Sequence, residues 1–194
     1  MFETRGSMEE KQPKTLFLVR HAESEQNVAT RALRTGQRGA ATRIIELGWD
    51  APLSAGGREQ LEHAREILKN FVNEHQIELV VHSPLVRAAD TARALFAGSE
   101  MLELDFLYER SLSEYFVPWL LDYRIGRFAS WLATRTEHRI CVVGHGQYFK
   151  RATRAESVQR NVGIVRCAFV DGDFVEGRGV WPGFPPATPK EGVR

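Results

Sequence analysis

Three short apolar runs, separated by longer stretches with helical periodicity, constrain the fold of this chain more than any other feature. The runs lie at residues 15–19, 79–82 and 140–143, and they have the length and the β-branched content of buried strands. Strands that alternate with helices are typical of a parallel sheet covered on both faces. We therefore expect an α/β fold, a three-layer sandwich with a mostly parallel central sheet and helices on both sides.

The stretches between these runs predict the helices and the closing strands. Ser54 can cap a helix that runs to about Glu74, with Ile67 among its inward residues. Ser83-Pro84 opens the next helix, with the proline near its first turn. The remaining expectations are a helix within 23–33, a mobile basic excursion over 29–48, a short strand at 101–104, a helix at 119–134 and a hairpin at 163–175.

The composition favours one domain and gives no general sign of a nucleic acid or membrane partner. The chain has 194 residues, 43% of them hydrophobic, with 26 basic against 25 acidic side chains, so any anion site must be local. Both cysteines, Cys141 and Cys167, lie in apolar runs, as buried reduced thiols do. We expect a soluble cytoplasmic protein with a flexible leader at 1–14, a single domain at 15–181 and an irregular tail at 182–194. The sequence does not indicate the oligomeric state.

Each of the three predicted strands leads into a basic side chain. Arg20 and His21 follow the first strand, Arg87 lies just inside the helix after the second, and His145 follows the third. The carboxyl ends of parallel strands meet at one edge of the sheet, where α/β proteins bind their ligands. We therefore expect the two arginines and the two histidines to form one site.

Two histidines with two arginines predict phosphoryl transfer through histidine. Arginine offers paired hydrogen-bond donors to phosphate oxygens and keeps its charge. One imidazole can attack phosphorus and form a covalent phosphohistidine, while the other stabilises the charge of the transition state. A carboxylic acid must then protonate the leaving oxygen. This scheme requires neither a metal nor a cofactor.

The segment around the first histidine resembles the signature of a known family. Leu18-Val-Arg20-His21-Ala-Glu23-Ser24-x-x-Asn27 is similar to the signature of the histidine phosphatase superfamily, in its phosphoglycerate-mutase-like branch. Three further blocks follow in the family's order, namely Asp50-Ala-Pro-Leu-Ser54-x-x-Gly57-Arg58, Ser83-Pro84-x-x-Arg87-Ala-x-Asp-Thr91-Ala92 and Val142-Val143-Gly144-His145-Gly146. The resemblance spans about residues 15–175 and implies a phosphoglycerate-mutase-like fold.

The resemblance also implies roles for the residues that match. His21 corresponds to the nucleophile, and Arg20, Arg87 and His145 to the other groups of the phosphate pocket. Asn27 matches an asparagine that contacts the phosphoryl group in many relatives.

The catalytic acid is harder to assign from this resemblance. Gly146 stands where the acid-phosphatase and phytase branch has an aspartate, whereas mutase-like members use a glutamate in a Leu-x-Glu pattern. Leu107-Tyr-Glu109 and Leu112-Ser-Glu114 both match that pattern. The spacing around Glu109 resembles the family more closely, so we favour Glu109, with Glu114 as the alternative.

These features predict a phosphatase that acts on a phosphomonoester, either a phosphorylated small molecule or a phosphopeptide. The alternatives are a phosphoglycerate mutase or a weakly active phosphate-binding or interaction module. His145 lies only 36 positions after Glu109, whereas mutases of the family generally carry an insertion there. Tyr115, Phe116 and Trp119 are expected in the core, or else at the substrate entrance. The arginines within 31–43 form a solvated loop or capture an anionic substrate.

Overall fold

A central sheet organises the part of the chain that the computed structural model describes, residues 12–175 and 177–186. Its strand order is β3-β2-β4-β1-β5-β6, and β7 also pairs with β5. The pairs β3-β2, β2-β4 and β4-β1 are parallel, whereas β5 runs antiparallel to β1, β6 and β7. The strands are β1 (Lys14–Arg20), β2 (Leu79–His82), β3 (Met101–Glu103), β4 (Arg139–Gly144), β5 (Ile164–Val170), β6 (Asp173–Val175) and β7 (Gly179–Trp181).

Helices cover both faces of this sheet, which confirms the predicted fold class. They are α1 (Glu25–Arg34), α2 (Ala40–Leu47), α3 (Ala55–Leu68), α4 (Phe71–Glu74), α5 (Val86–Leu95), α6 (Leu112–Phe116), α7 (Pro118–Thr134) and α8 (Gly146–Thr153), with a 3₁₀ turn at Asp105–Leu107. None of the helices in the described ranges is both long enough and apolar enough to cross a lipid bilayer.

Alternate residues of β1 point to opposite faces of the sheet, so the strand contributes to two cores. Leu16 and Leu18 pack with residues of α7 and α8 in one core. Phe17 and Val19 pack with residues of α3 and α5 in the other. Burial on both faces requires an apolar run without alternation, and this is the pattern that identified the strand in the sequence.

The three predicted buried strands are present, but two helices differ from expectation. The helix expected from Ser54 to about Glu74 is divided into α3 and α4, and Ile67 is exposed rather than inward. Pro84 precedes α5 instead of lying in its first turn, because the Ser83 hydroxyl accepts a hydrogen bond from the Leu85 N–H (3.3 Å) and holds a turn before the helix.

The basic stretch at 29–48 does not form the irregular excursion that the sequence suggested. Helix α1 continues to Arg34, and α2 occupies Ala40–Leu47 after Gly39, whose φ of 77° lies in the left-handed region. Glycine adopts this conformation without strain, so Gly39 turns the chain into α2 rather than marking a loop.

Tyr115 and Phe116 of α6 and Trp119 of α7 are not part of the core, which corrects the first expectation for these three side chains. Tyr115 is 48% exposed, Phe116 84% and Trp119 64%. The buried positions of α7 are instead Leu121, Phe128 and Leu132.

The expected leader at 1–14 and tail at 182–194 lie mostly outside the described residues. Lys14, the last residue of that leader, is the first residue of β1. In the described part of the tail, Phe184 forms an isolated bridge with Asn161.

Candidate active site

The carboxyl ends of β1, β2 and β4 lie side by side and are joined by backbone hydrogen bonds. The His21 N–H donates to the Gly144 carbonyl (3.0 Å), and the Ser83 N–H donates to the Val143 carbonyl (3.0 Å). His145 follows β4 directly, and Arg87 is the second residue of α5, after β2. The sheet therefore brings together the basic side chains that the sequence placed at three strand ends.

His21 is buried and has a defined tautomer. Its Nδ1 lies 2.6 Å from the Ala22 carbonyl oxygen, which can only accept a hydrogen bond. The ring proton is therefore on Nδ1, and Nε2 carries a lone pair. Burial, with the nearby charges of Arg87 and Arg20, holds the pKa of His21 well below its usual range. The imidazole is neutral at neutral pH.

His145 is fully buried beside His21, with the two ring centroids 5.1 Å apart. Its Nε2 lies 2.8 Å from the Ser83 hydroxyl oxygen, and within the described residues its buried Nδ1 has no hydrogen-bond partner. Burial and the neighbouring His21 and arginines hold the pKa of His145 well below its usual range. A neutral ring has one N–H, and a Ser83 hydroxyl that donates to Nε2 places that proton on Nδ1.

Arg20 and Arg87 are held by backbone carbonyls. Arg20 Nη1 donates to the Gln159 carbonyl (2.6 Å), and Arg87 Nη1 donates to the Trp49 carbonyl (3.2 Å). The described residues include no carboxylate within 4.0 Å of either guanidinium, and the buried Arg20 Nε has no acceptor among them. Burial lowers the pKa of both arginines, and Glu109 partly opposes this. Two desolvated cations without an ion-pair partner favour a bound anion.

The two candidate acids occupy different surroundings. Glu109, His21 and His145 each have an ionisable side-chain atom within 4.8 Å of the others. The Glu109 carboxylate accepts a hydrogen bond from the Arg110 N–H (2.9 Å). Burial raises the pKa of Glu109, although the Arg110 N–H and the charges of Arg87 and Arg20 act in the opposite direction.

Glu114 instead caps the N-terminus of its own helix and forms an ion pair with Arg124. Its two carboxylate oxygens accept hydrogen bonds from Arg124 Nε and Nη2 (2.7 and 2.8 Å), and one also accepts from the Ser111 N–H (2.8 Å). Burial acts to raise the pKa of Glu114, but these bonds outweigh it and lower the pKa. Both oxygens of the Glu114 carboxylate therefore already accept hydrogen bonds, from the N-cap residue of α6 and from Arg124 of α7.

Asn27 lies at the entrance to α1 and lines the same cavity as His21. Its side-chain oxygen accepts from the Ser24 N–H (3.2 Å) in a capping box, which leaves its amide N–H groups as donors. Asn161, which sequence reasoning missed, donates from Nδ2 to the His21 carbonyl (2.9 Å) and to the Asn27 oxygen (3.4 Å). It precedes Val162, which has a φ of 59°, and neither residue belongs to a motif that could have revealed this contact.

Two glycines of the sequence blocks serve close packing. A Cβ on Gly57 would lie 2.0 Å from the Glu23 carbonyl oxygen, so only glycine lets α3 approach the loop after His21 so closely. A Cβ on Gly146 would lie 2.3 Å from Val158 Cγ1. An aspartate at position 146 would therefore collide with Val158, and this position cannot supply the acid without rearrangement.

The trio of His21, Glu109 and His145 also has the side-chain types of a metal site. Arg20 and Arg87 lie close enough to lower the pKa of both histidines. Two positive charges at this distance oppose a cation and favour an anion. The donor set thus fits a phosphoryl group better than a metal ion.

The site opens into a cavity of about 730 Å³. Arg31 and Arg34, from the basic stretch, both line this cavity, and Arg31 pairs with the buried Glu23 (2.8 Å). Other lining residues are Ile44, Ile45, Trp49, Arg110, Leu112 and Tyr115.

Comparisons with known proteins agree with this architecture. The chain is 33% identical over 87 residues, 45% of its length, to a phosphoglycerate mutase-like protein of Arabidopsis thaliana, and the match covers only 30% of that relative. A phosphoserine phosphatase of Entamoeba histolytica superposes with a TM-score of 0.58 at 17% identity, covering 89% of this chain and 98% of that one. A mycobacterial glucosyl-3-phosphoglycerate phosphatase superposes with a TM-score of 0.58 at 20% identity, covering 88% and 100%.

At such low identity the two structural matches show a shared fold. The family assignment depends on the sequence, in which residues 16–116 match the sequence model of the histidine phosphatase superfamily, branch 1. That segment includes more than half of the chain, and it contains Arg20, His21, Arg87 and Glu109. The chain therefore belongs to branch 1 of the histidine phosphatase superfamily.

Proposed function

We propose that this protein is a phosphatase that hydrolyses a phosphomonoester through a covalent phosphohistidine on His21. The observation that carries the proposal is the fixed tautomer of a neutral His21, whose Nε2 keeps its lone pair and whose ring lies near two desolvated arginines. An imidazole held in this way is a nucleophile, and the arginines provide the charge that a phosphate dianion requires.

In the first step, His21 Nε2 attacks phosphorus and the bond from phosphorus to the ester oxygen breaks. Arg20, Arg87 and the Nδ1–H of His145 donate to the three equatorial oxygens, where negative charge is spread in the transition state. Asn27 adds an amide donor from the cavity wall. Glu109 gives its proton to the departing oxygen, a role for which its raised pKa is suited.

In the second step, water attacks the phosphohistidine. The Glu109 carboxylate takes a proton from the water, the bond between phosphorus and Nε2 breaks, and inorganic phosphate leaves. His21 and Glu109 are then restored to their starting protonation states. Ser83 acts as a positioning residue in both steps, because its hydroxyl fixes the His145 tautomer that donates from Nδ1.

A rapid-quench experiment with a ³²P-labelled phosphomonoester tests this proposal. The protein should form a phosphoenzyme that is stable in base and labile in acid, and His21→Ala should abolish both the label and phosphate release. His63→Ala, which removes an exposed histidine of α3, is the matched control and should behave as the native protein. Turnover by His21→Ala at the native rate would contradict the assignment.

A mutase is the second candidate function, since the Arabidopsis relative is described as phosphoglycerate mutase-like. A mutase shares the phosphohistidine step but returns the phosphoryl group to a second hydroxyl instead of water. Conversion of 3-phosphoglycerate to 2-phosphoglycerate, primed with 2,3-bisphosphoglycerate, would identify it. We expect phosphate release and no such conversion. A phosphate-binding module without activity would bind phosphate but give no phosphoenzyme.

A further inference from the structure

The cavity above the proposed phosphate pocket has the size of a binding site for a small organic ligand. Its volume of about 730 Å³ lies well within the range of roughly 300–1,000 Å³ that drug-sized ligands occupy. Of the groups assigned to the phosphate pocket, Arg20, His21, Arg87 and Glu109 line this cavity, and most of its lining comes from other residues. The rest of the cavity is therefore available to the organic part of a substrate.

The lining of that outer part combines the arginines named above with apolar and aromatic side chains. Ile45 is 79% exposed and Trp49 43% exposed, and both line the cavity together with Leu112 and Tyr115. Large apolar side chains that remain accessible at the mouth of a cleft are typical of a ligand-binding surface.

Each of the two aromatic residues is linked by a contact to a component of the phosphate pocket. The Trp49 carbonyl accepts from Arg87, so the indole belongs to a residue attached directly to a phosphate-binding arginine. On the other side, Arg110 donates from its backbone N–H to the Glu109 carboxylate, and its guanidinium lies 4.0 Å over the Tyr115 ring. The leaving oxygen must face Glu109, so the leaving group lies among Trp49, Arg110 and Tyr115.

Arg110 adds a flat cationic surface to this wall. Among the described residues it makes no ion pair within 4.0 Å, and its guanidinium donates only to the Glu114 carbonyl (3.1 Å). An arginine that is not held by a carboxylate can stack on an aromatic ring, as guanidinium groups do on nucleobases. Trp49, Arg110 and Tyr115 thus offer flat surfaces on which an aromatic ring of a substrate can stack.

We propose that the preferred substrates are phosphomonoesters with an aromatic ring a few bonds from the phosphate, nucleoside monophosphates being the representative class, with the ring bound among Trp49, Arg110 and Tyr115. This inference rests on the phosphatase function proposed above. The substrate class is inferred from the side chains that line the outer part of the cavity.

Adenosine 5′-monophosphate and ribose 5-phosphate test the inference, because both carry the phosphate on the primary 5-hydroxyl of ribose and only the first has the purine. Base stacking on aromatic side chains contributes about 1–3 kcal/mol, so kcat/KM should be about 10- to 100-fold higher for the nucleotide, mainly through KM. Trp49→Ala keeps the backbone carbonyl that holds Arg87, and it should reduce this ratio about 10-fold. Tyr115→Ala should reduce it as well. Trp119→Ala, which removes an exposed tryptophan that does not line the cavity, should leave both substrates unaffected.

The outcomes separate the two proposals. If neither compound releases phosphate under conditions in which other phosphomonoesters also fail, the phosphatase function is wrong. If both compounds are hydrolysed with equal kcat/KM, the function stands and the inference is overturned. A high ratio that persists in both Trp49→Ala and Tyr115→Ala would also overturn it, because the ring would then bind elsewhere.

Discussion

Replacing each candidate acid with its amide should have a different effect in the two cases. Glu109→Gln should lower the activity, whereas Glu114→Gln should lower the stability. In Glu109→Gln the shape of the side chain is retained but the proton donor is lost. General acid catalysis contributes about 10²- to 10⁴-fold, so turnover of an alkyl phosphate should fall by that factor. A nitrophenyl phosphate, whose leaving group needs little protonation, should lose less than about 10-fold.

Glu114→Gln should instead reduce stability. The substitution removes the negative charge and turns one acceptor oxygen into an NH2 donor, so at most one of the two hydrogen bonds from Arg124 remains, while that arginine keeps the Phe106 and Tyr108 carbonyls as acceptors. Because these acceptors offset part of the loss, we expect a cost of about 2 kcal/mol, below the roughly 3–5 kcal/mol of a broken buried pair. For a chain of this size that corresponds to a fall in Tm of about 4–8 °C.

The pH profile provides a further measurement for the same pair. The raised pKa of Glu109 is the pKa below which the acid holds its proton, so kcat/KM for an alkyl phosphate should decline as the pH rises through it. Glu109→Gln should lose this decline, and Glu114→Gln should retain it. Steady-state kinetics on both substrates and thermal unfolding of both variants would complete the comparison. Unchanged alkyl phosphatase activity in Glu109→Gln, with loss of activity in Glu114→Gln, would refute the reasoning.

Three other perturbations follow from the geometry of the site. Ser83→Ala should lower kcat about 10- to 100-fold and change the ¹⁵N NMR signature of the His145 tautomer, with Ser83→Thr restoring both; an unchanged tautomer would contradict the positioning role. Gly57→Ala should lower the free energy of unfolding by about 3 kcal/mol because the new Cβ meets backbone. Gly126→Ala, in an open part of α7, should raise it by about 0.5–1 kcal/mol; equal effects of the two substitutions would argue against the close contact. The free energy of unfolding should also fall as the pH decreases below about 6.5, because the unfolded chain takes up protons that the buried His21 and His145, with their lowered pKa values, do not. His21→Asn should reduce that fall, and no reduction would show that His21 is not responsible.

The sequence predicted the strands best because burial on both faces of a sheet requires an uninterrupted run of apolar residues. Residues at 15–19 and 140–143 have no alternation of polar and apolar side chains, and a central parallel strand is the element that requires this pattern. Arg20, His21 and His145 could be placed near one another for the same reason. Each follows a strand end, and the sheet sets the distance between those ends.

Other features depend on contacts that a linear pattern does not record. Asn161 holds the loop of His21 across 140 residues of sequence, and no local signal marks it. The helix α2 was missed because glycines and arginines suggested a loop, whereas Gly39 only allows the turn before the helix.

The acid is a different case, since a local signal was present. Ser111-x-x-Glu114 is a capping-box pattern, and the structure forms that box at the start of α6. The pattern assigns a structural task to Glu114 from the sequence alone. Of the two Leu-x-Glu segments, only the second carries this capping pattern, which favours Glu109 as the proposed acid.

The position of β1 in the sheet has a consequence for how the protein is made on the ribosome. This strand carries Arg20 and His21 near the start of the chain, but it lies between β4 and β5, which begin at Arg139 and Ile164. Contacts over such sequence separations form late and slow folding. A nascent chain that ends before residue 164 lacks one neighbour of the strand that holds the proposed nucleophile. We therefore expect a chain released early in synthesis to be inactive and to expose an open sheet edge. Such an edge would make the incomplete chain a target for chaperones and proteases.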